Sequence, residues 1–372
     1  MNGRRPASPL WRRIRDDGMA VVSVMGMTKN TGKTVTLNHL LACAAADKVD
    51  VGLTSIGRDG EACDAVYAIP KPPVLVWPGT VVATARDTLL RAGVRTKLLA
   101  GSGIDSPLGE ILLVKVLDHG EMEVAGASRS ADQRRAIESL RRCGAAQIFV
   151  DGALGRSHHA SPALADGVVL ATGAAIGGGI ADVLRKTRDR LAILAIPEAD
   201  AALRAGCAGL FEAQGVGLWT ADGQPLWQAP IASLNAAAEL LAQDRSGFGR
   251  AEVGRVAVTG AVGRQLWAAL LTLAERHPGL VAIVADGTRL FVDATDLAAL
   301  DARGARLLAW RGIRIAGITL NPTSPLGGHF DAATFLASAR DACPRHAVTD
   351  VVLESTHPTS LTERSPHGAT AA

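Results

Sequence analysis

Apolar residues along this chain gather into short runs, each closed by glycine or small polar residues, and most runs precede a stretch with helical spacing. The runs Val21–Met25, Val51–Ser55, Gln147–Asp151, Gly167–Thr172, Arg255–Val258, Leu280–Ala285 and Ile313–Asn321 are rich in apolar and β-branched side chains and read as strands. Helical spacing runs from Val35 to about Asp47, from Ser130 to about Gly144, over Ile180–Leu191 and over Ile231–Gln243. Ser130-Ala131-Asp132-Gln133 fits a capping box at the start of the second of these. Strands alternating with helices predict an α/β fold: a mainly parallel sheet with helices on both faces, plus a second α/β region.

Weaker signals fill the gaps. The prolines of Lys71–Thr80 allow only an edge or terminal strand, and a helix is predicted from about Thr84 to Arg91. Ile111–Val116 and Glu121–Val124 flank His119-Gly120 as a hairpin would, and Trp219–Trp227 turns at Asp222-Gly223. A strand at Leu290–Val292 and a helix around Thr295 to Trp310 complete the pattern. The expected division is a disordered basic arm (1–18), a nucleotide-binding domain (19–200), a hairpin, helix and linker (201–249), a second α/β region (250–350) and a disordered tail (351–372). Residues 250–350 either stand alone or complete the first sheet, because the strand ending at Asn321 fits both arrangements.

Candidate chemistry centres on the first strand. Val21–Met25 leads into Gly26-Met27-Thr28-Lys29-Asn30-Thr31-Gly32-Lys33-Thr34, and a helix follows at once. Strand, glycine-bearing loop and helix form the context of a phosphate-binding P-loop. The usual form places four residues between its first glycine and Gly-Lys-Thr, whereas Gly26 stands one residue further away. Glycine lets the backbone approach phosphate, the loop N–H groups form an anion nest, and the helix dipole points its positive end at the same place. The candidate nucleotide set is therefore Gly26, Lys29, Asn30, Thr31, Gly32, Lys33 and Thr34. Lys33 is suited to the β- and γ-phosphates and Thr34 to Mg²⁺, while Lys29 is either a phosphate contact or a solvated side chain.

Two carboxylates complete the expected catalytic set. The strand Val51–Ser55 runs into Ile56-Gly57-Arg58-Asp59-Gly60-Glu61, and Gln147–Val150 ends at Asp151. Carboxylates at the carboxyl ends of parallel strands lie on the ligand side of an open sheet. Asp59 and Asp151 are thus candidates to hold Mg²⁺, directly or through water, or to orient an attacking water, and Glu61 shares the position of Asp59. A turn with solvated charges accounts for Asp59 and Glu61 equally well. Arg156 can reach phosphate or simply be solvated, and His158 and His159 lack a partner at metal-ligand spacing. Gly177–Gly179 fits either a phosphate cradle or a mobile turn, and the turn is the simpler reading. Asn321 ends a buried strand, as in P-loop proteins of the dethiobiotin synthetase type, which this loop resembles. That resemblance implies a reader of the adenine edge, a role suited to an amide because it donates and accepts side by side, whereas Asn-Pro is also a common turn opener.

Composition narrows the partners. The 372 residues carry a net charge of +3, and Arg4, Arg5, Arg12, Arg13 and Arg15 against Asp16 and Asp17 account for all of it. Charge is balanced elsewhere and aromatic residues make up 3%, which argues against nucleic-acid binding. No apolar run approaches membrane-spanning length, so a cytoplasmic protein is expected. The five cysteines are scattered, with no C-x-x-C pair, and read as core residues.

Three motifs together, Gly26–Thr34, Thr54-Ser55-Ile56-Gly57-Arg58-Asp59-Gly60-Glu61 and Asn321-Pro322-Thr323-Ser324-Pro325, resemble the P-loop subunit of the reactivase linked to lysine 5,6-aminomutase and ornithine aminomutase. The likeness spans roughly residues 20–345, and these motifs alone carry it. It implies a P-loop NTPase-like fold and an ATPase subunit, using ATP (or GTP) and Mg²⁺, that releases damaged cobalamin from an adenosylcobalamin-dependent aminomutase. It also implies a MutS-like ATPase subunit as partner, with Lys33, Thr34, Asp59 and Asp151 carrying the nucleotide step. The longer loop is similar to that of dethiobiotin synthetase as well. The alternative is therefore a kinase or ligase acting on a small acid, with a substrate pocket from Lys71 to Thr80 or from Arg156 to His159.

Overall fold

The computed structural model describes residues 8–56, 73–152, 161–247, 252–325 and 327–353. The chain opens with helix α1 (Pro9–Asp16), strand β1 (Val21–Gly26), helix α2 (Lys33–Ala46) and strand β2 (Val51–Ser55). Next come β3 (Val74–Val76), β4 (Val81–Ala85), the short α3 (Arg86–Leu89), β5 (Thr96–Gly101), β6 (Ile111–Val116) and β7 (Gly120–Met122). Helix α4 (Ser130–Arg142), β8 (Gln147–Asp151), β9 (Gly167–Gly173) and α5 (Ile180–Leu194) follow. Then come α6 (Ala201–Ala213), β10 (Val216–Trp219), β11 (Pro225–Ala229), α7 (Ser233–Ser246), β12 (Arg255–Val258), α8 (Arg264–Arg276), β13 (Val281–Val284), α9 (Ala294–Asp301) and β14 (Arg306–Ala309). The described chain closes with β15 (Ile315–Asn321), α10 (Ala332–Ala342) and β16 (Val348–Thr349).

One large sheet runs in the order β16-β15-β9-β1-β8-β2-β4-β6-β5. From β16 to β4 every neighbouring pair is parallel, and β6 and β5 add an antiparallel edge. The strands at its centre are apolar on both sides, as a sheet covered on both faces requires. Val22, Val24, Leu53, Phe149 and Val169 face α1 and α2, where Leu37, Leu40 and Leu41 meet them. Their alternates point the other way: Ile148 and Val150 pack with Ile137 and Leu140 of α4, and Val168, Leu170 and Ile318 with Val183 and Leu191 of α5 and Phe335 of α10. The chain is thus mixed α/β, with a large, mainly parallel sheet and helices on both faces.

A second sheet, β11-β10-β12-β13-β14, occupies the stretch between α5 and β15. Its β12, β13 and β14 are parallel, and the β10–β11 hairpin adds antiparallel strands at one side. Leu203, Cys207 and Leu210 of α6 cover one face, and Leu240, Leu266, Trp267, Leu270 and Leu300 from α7, α8 and α9 cover the other. The expected boundary at residue 249 is therefore corrected: β10 pairs with β12 across it, so 201–249 belongs to the same unit as the strands that follow. The region 250–350 divides instead, because β15 and β16 return to the first sheet beside β9.

Other expectations also change. The basic arm is helical from Pro9: Ser8 caps α1, and Leu10, Trp11 and Ile14 are buried. Its charge count hid an apolar stripe at i, i+1 and i+4, whose burial contributes about 2 kcal/mol per large side chain. Trp11 Nε1 also donates to Asp47 Oδ2 at 2.7 Å, tying α1 to the end of α2. The hairpin around His119 does not form. β6 is apolar on both faces and pairs with β4 and β5, whereas the three-residue β7 pairs with β3. The helix expected to reach Trp310 stops at Asp301; Gly304, at φ +71°, turns the chain into β14. Helix α4 has Arg129 at its N-cap with no side-chain hydrogen bond, so the capping box is not made. Among the described residues no helix is long and apolar enough to cross a membrane.

Candidate nucleotide-binding site

The Gly26–Thr34 segment joins the end of β1 to the first turn of α2, near the middle of the large sheet. Strand β1 lies between β8 and β9, whose connection passes from one side of it to the other, so the loop sits at a switch point of the strand order. Two residues shape the loop backbone. Asn30 has φ +60°, and Gly32, the N-cap of α2, has φ +90°. Left-handed residues in a tight loop turn successive N–H groups toward a common point. Gly32 has no side chain to cap α2, so the first-turn amides of a 14-residue helix remain suited to an anion.

The loop holds itself together. Thr31 Oγ1 donates to Thr28 O at 2.9 Å and is buried, which makes that hydroxyl a brace and leaves its backbone amide as the group it offers an anion. Lys33 folds back over the loop, with Nζ 3.4 Å from Thr28 O. A Cβ on Gly26 would lie 2.6 Å from Thr31 Oγ1 and 3.0 Å from Lys33 Cδ, so only glycine leaves Lys33 that path. Thr34 is buried beneath the loop, while Lys29 is half-buried.

Asp151 ends β8, in register with Val24 of β1 and Ser55 of β2. It is 4% exposed, at the same carboxyl edge of the sheet as the loop, and Gly152 N donates to Val24 O at 3.0 Å immediately beyond it. Gly26, Lys33, Thr34 and Asp151 are thus gathered on two adjoining strands and one helix start. Asp59, Glu61, Lys71, Arg156, His158 and His159 lie outside the described residues.

The residues present fit a nucleotide with Mg²⁺. Mg²⁺ ordinarily keeps several waters and takes only one or two carboxylates besides phosphate oxygen, so Thr34 and Asp151 supply an adequate set. Among the described residues there is no group of three or more His, Cys, Asp or Glu side chains able to hold a metal by itself. Two hollows lie elsewhere, one of about 280 Å³ beside Arg204 and Trp310 and one of about 200 Å³ beside Arg134 and Asp166. Neither is lined by a residue of the Gly26–Thr34 loop or by Asp151.

No family model, curated protein or solved structure matches the chain.

Three relationships were not visible in the sequence. Thr36 Oγ1 of α2 and Thr319 Oγ1 of β15 are 2.7 Å apart in the core, joining the loop's helix to the strand that ends at Asn321. Ser161, where the described chain resumes after Gly152, donates its hydroxyl to Asp286 Oδ2 of the second unit at 2.7 Å, and both residues are buried. Asn321 itself is turned toward the loop: Nδ2 donates to Asn30 O at 2.8 Å, and Oδ1 accepts from Thr323 N at 3.2 Å and Thr323 Oγ1 at 2.8 Å. Both ends of the amide are engaged there, rather than presented side by side to a base. A threonine at a buried helical position and an acid inside an apolar stretch were the available signals for the first two.

Proposed function

We propose that this chain is a P-loop nucleotide-binding protein that hydrolyses ATP and uses the cycle to remodel a partner. The observation that carries the reading is the meeting of the Gly26–Thr34 loop with Asp151 at one edge of a parallel sheet. Lys33 neutralises charge on the β- and γ-phosphates, and the N-terminal amides of α2 hold the same groups. Thr34 and Asp151 would hold Mg²⁺, which when bound would supply positive charge to the phosphate oxygens. Asp59 orients the attacking water or joins the Mg²⁺ set.

The partner part of the proposal rests on the motif resemblance. In that reading the chain is a cytoplasmic subunit that works with a MutS-like ATPase to free an adenosylcobalamin-dependent aminomutase of damaged cobalamin. By that reading phosphate, Mg²⁺ and nearby switch loops form a bistable element, and hydrolysis changes the grip on the partner enzyme. The second α/β unit, which meets the first at Ser161–Asp286 and leads into β15, is the element such a change would move.

The test is Mg²⁺-dependent release of phosphate from ATP and GTP, with and without the aminomutase. Turnover that depends on Lys33 and rises with the aminomutase supports the whole reading. Turnover that instead requires a small acid supports the kinase or ligase. Absence of nucleotide binding removes both.

A further inference from the structure

The contact between Asn321 and Asn30 joins elements that are far apart in sequence and separated in the sheet by β9. Asn321 ends β15, opposite Gly173 of β9, and the loop begins on the far side of β9. The side chain crosses that gap because two glycines make room. A Cβ on Gly173 would lie 2.9 Å from Asn321 Cβ, and one on Gly32 would lie 3.2 Å from it. The bond falls on a strained point, since Asn30 holds φ +60°, a conformation that costs energy for any residue with a Cβ. Asn321 is held in turn by Thr323, whose backbone N–H and hydroxyl both donate to Oδ1 and thereby fix which end of the amide faces Asn30.

We infer that Asn321 is a positioning residue for the phosphate loop: its amide clamps the Asn30 carbonyl and fixes the left-handed turn that aims the loop amides at phosphate. This deepens the nucleotide reading and rests on it. The role differs from base recognition in a way that can be measured. A residue that reads the base discriminates ATP from GTP and is indifferent to a ligand with no base. A residue that shapes the loop acts equally on every ligand bound through its phosphates.

The experiment compares binding of MgATP, MgGTP and Mg-tripolyphosphate to the full-length wild type, Asn321→Ala and Thr323→Val, with the melting temperature of each protein measured alongside. Loss of one hydrogen bond at a strained turn should weaken all three ligands by a similar factor, about fivefold to tenfold for Asn321→Ala. Thr323→Val removes one of the two bonds that orient the amide and should show a smaller loss of the same pattern. It also keeps the test available if Asn321→Ala does not fold. Hydrogen exchange at residues 28–33 should quicken in both variants without ligand, which a change confined to overall stability would not single out. Loss confined to the two nucleotides, or a changed ATP-to-GTP ratio with tripolyphosphate unaffected, overturns the inference in favour of base recognition. Unchanged binding of all three ligands overturns it altogether. If wild type binds none of them, the nucleotide reading itself fails, an outcome distinct from both.

Discussion

The hydroxyls of Thr36 and Thr319 meet at 2.7 Å in the core, between the first turns of the helix after the loop and the fifth residue of β15. Both side chains are about 1% exposed, so each hydroxyl depends on the other. Thr36→Val or Thr319→Val alone strands one buried polar group and should cost about 1–3 kcal/mol. The double variant removes both groups and should recover much of that loss. Urea denaturation of the four proteins in a double-mutant cycle checks this, and additive losses would show that the pair is not coupled.

Asp286 holds the two units together at Ser161. Its carboxylate is buried, with Oδ2 taken by Ser161 and Oδ1 by the backbone N–H and hydroxyl of Thr288. Asp286→Ala should lower stability by about 2 kcal/mol or more, since it removes charge-assisted hydrogen bonds and leaves their donors buried. Ser161→Ala should cost less, because the carboxylate keeps Thr288. Thermal unfolding of both variants ranks the two effects, and the reverse ranking would contradict the account.

Acid should act on the second unit through Asp244, near the end of α7. Burial pushes this carboxyl up, but hydrogen bonds from His277, just past the end of α8, and from Arg276, its last residue, outweigh burial and hold it below the usual carboxylate range. A carboxyl depressed in the folded state binds fewer protons there than in the unfolded chain. Its stabilisation is complete above the unfolded value, about 3.9, and is lost as pH falls through the folded one. Asp244→Asn should therefore show a shallower fall in stability below about pH 4 than wild type, together with lower stability at neutral pH. Chemical denaturation across pH 3–7 reads both, and parallel acid limbs would remove the carboxylate from the explanation.

The proposed Mg²⁺ role is tested at Asp151. Asp151→Asn preserves shape and removes charge at a position 4% exposed. It should lower Mg²⁺-dependent turnover by about 100-fold and raise the Mg²⁺ concentration needed, while nucleotide binding without Mg²⁺ changes little. An unaltered Mg²⁺ dependence would take Asp151 out of the metal set.

How much of this was legible depended on how local each signal was. The glycine-bearing turn from β1 into α2 could be read directly, because Gly26, Gly32, Lys33 and Thr34 lie within nine residues and strand and helix patterns flank them. Asp151 was legible as a strand-ending acid, and its place beside β1 required the sheet order. The contact partners of Asn321 were not legible, since its reach to Asn30 depends on β15 lying beyond β9 and on the space left at Gly173. Helix α1 was obscured by its arginines, which share a short segment with the buried Leu10, Trp11 and Ile14. The second unit was misdivided because the break at 249 is polar and glycine-containing, a local sign that says nothing about the pairing of β10 with β12 across it.

The most direct test of the central claim is ATP hydrolysis by wild type and Lys33→Ala, measured with Mg²⁺ in the presence and absence of a cobalamin-dependent aminomutase. The account predicts measurable turnover in wild type, an increase on adding the aminomutase, and a loss of about 100-fold or more in Lys33→Ala under both conditions. Turnover that survives Lys33→Ala, or wild-type protein that binds no nucleotide, would contradict it.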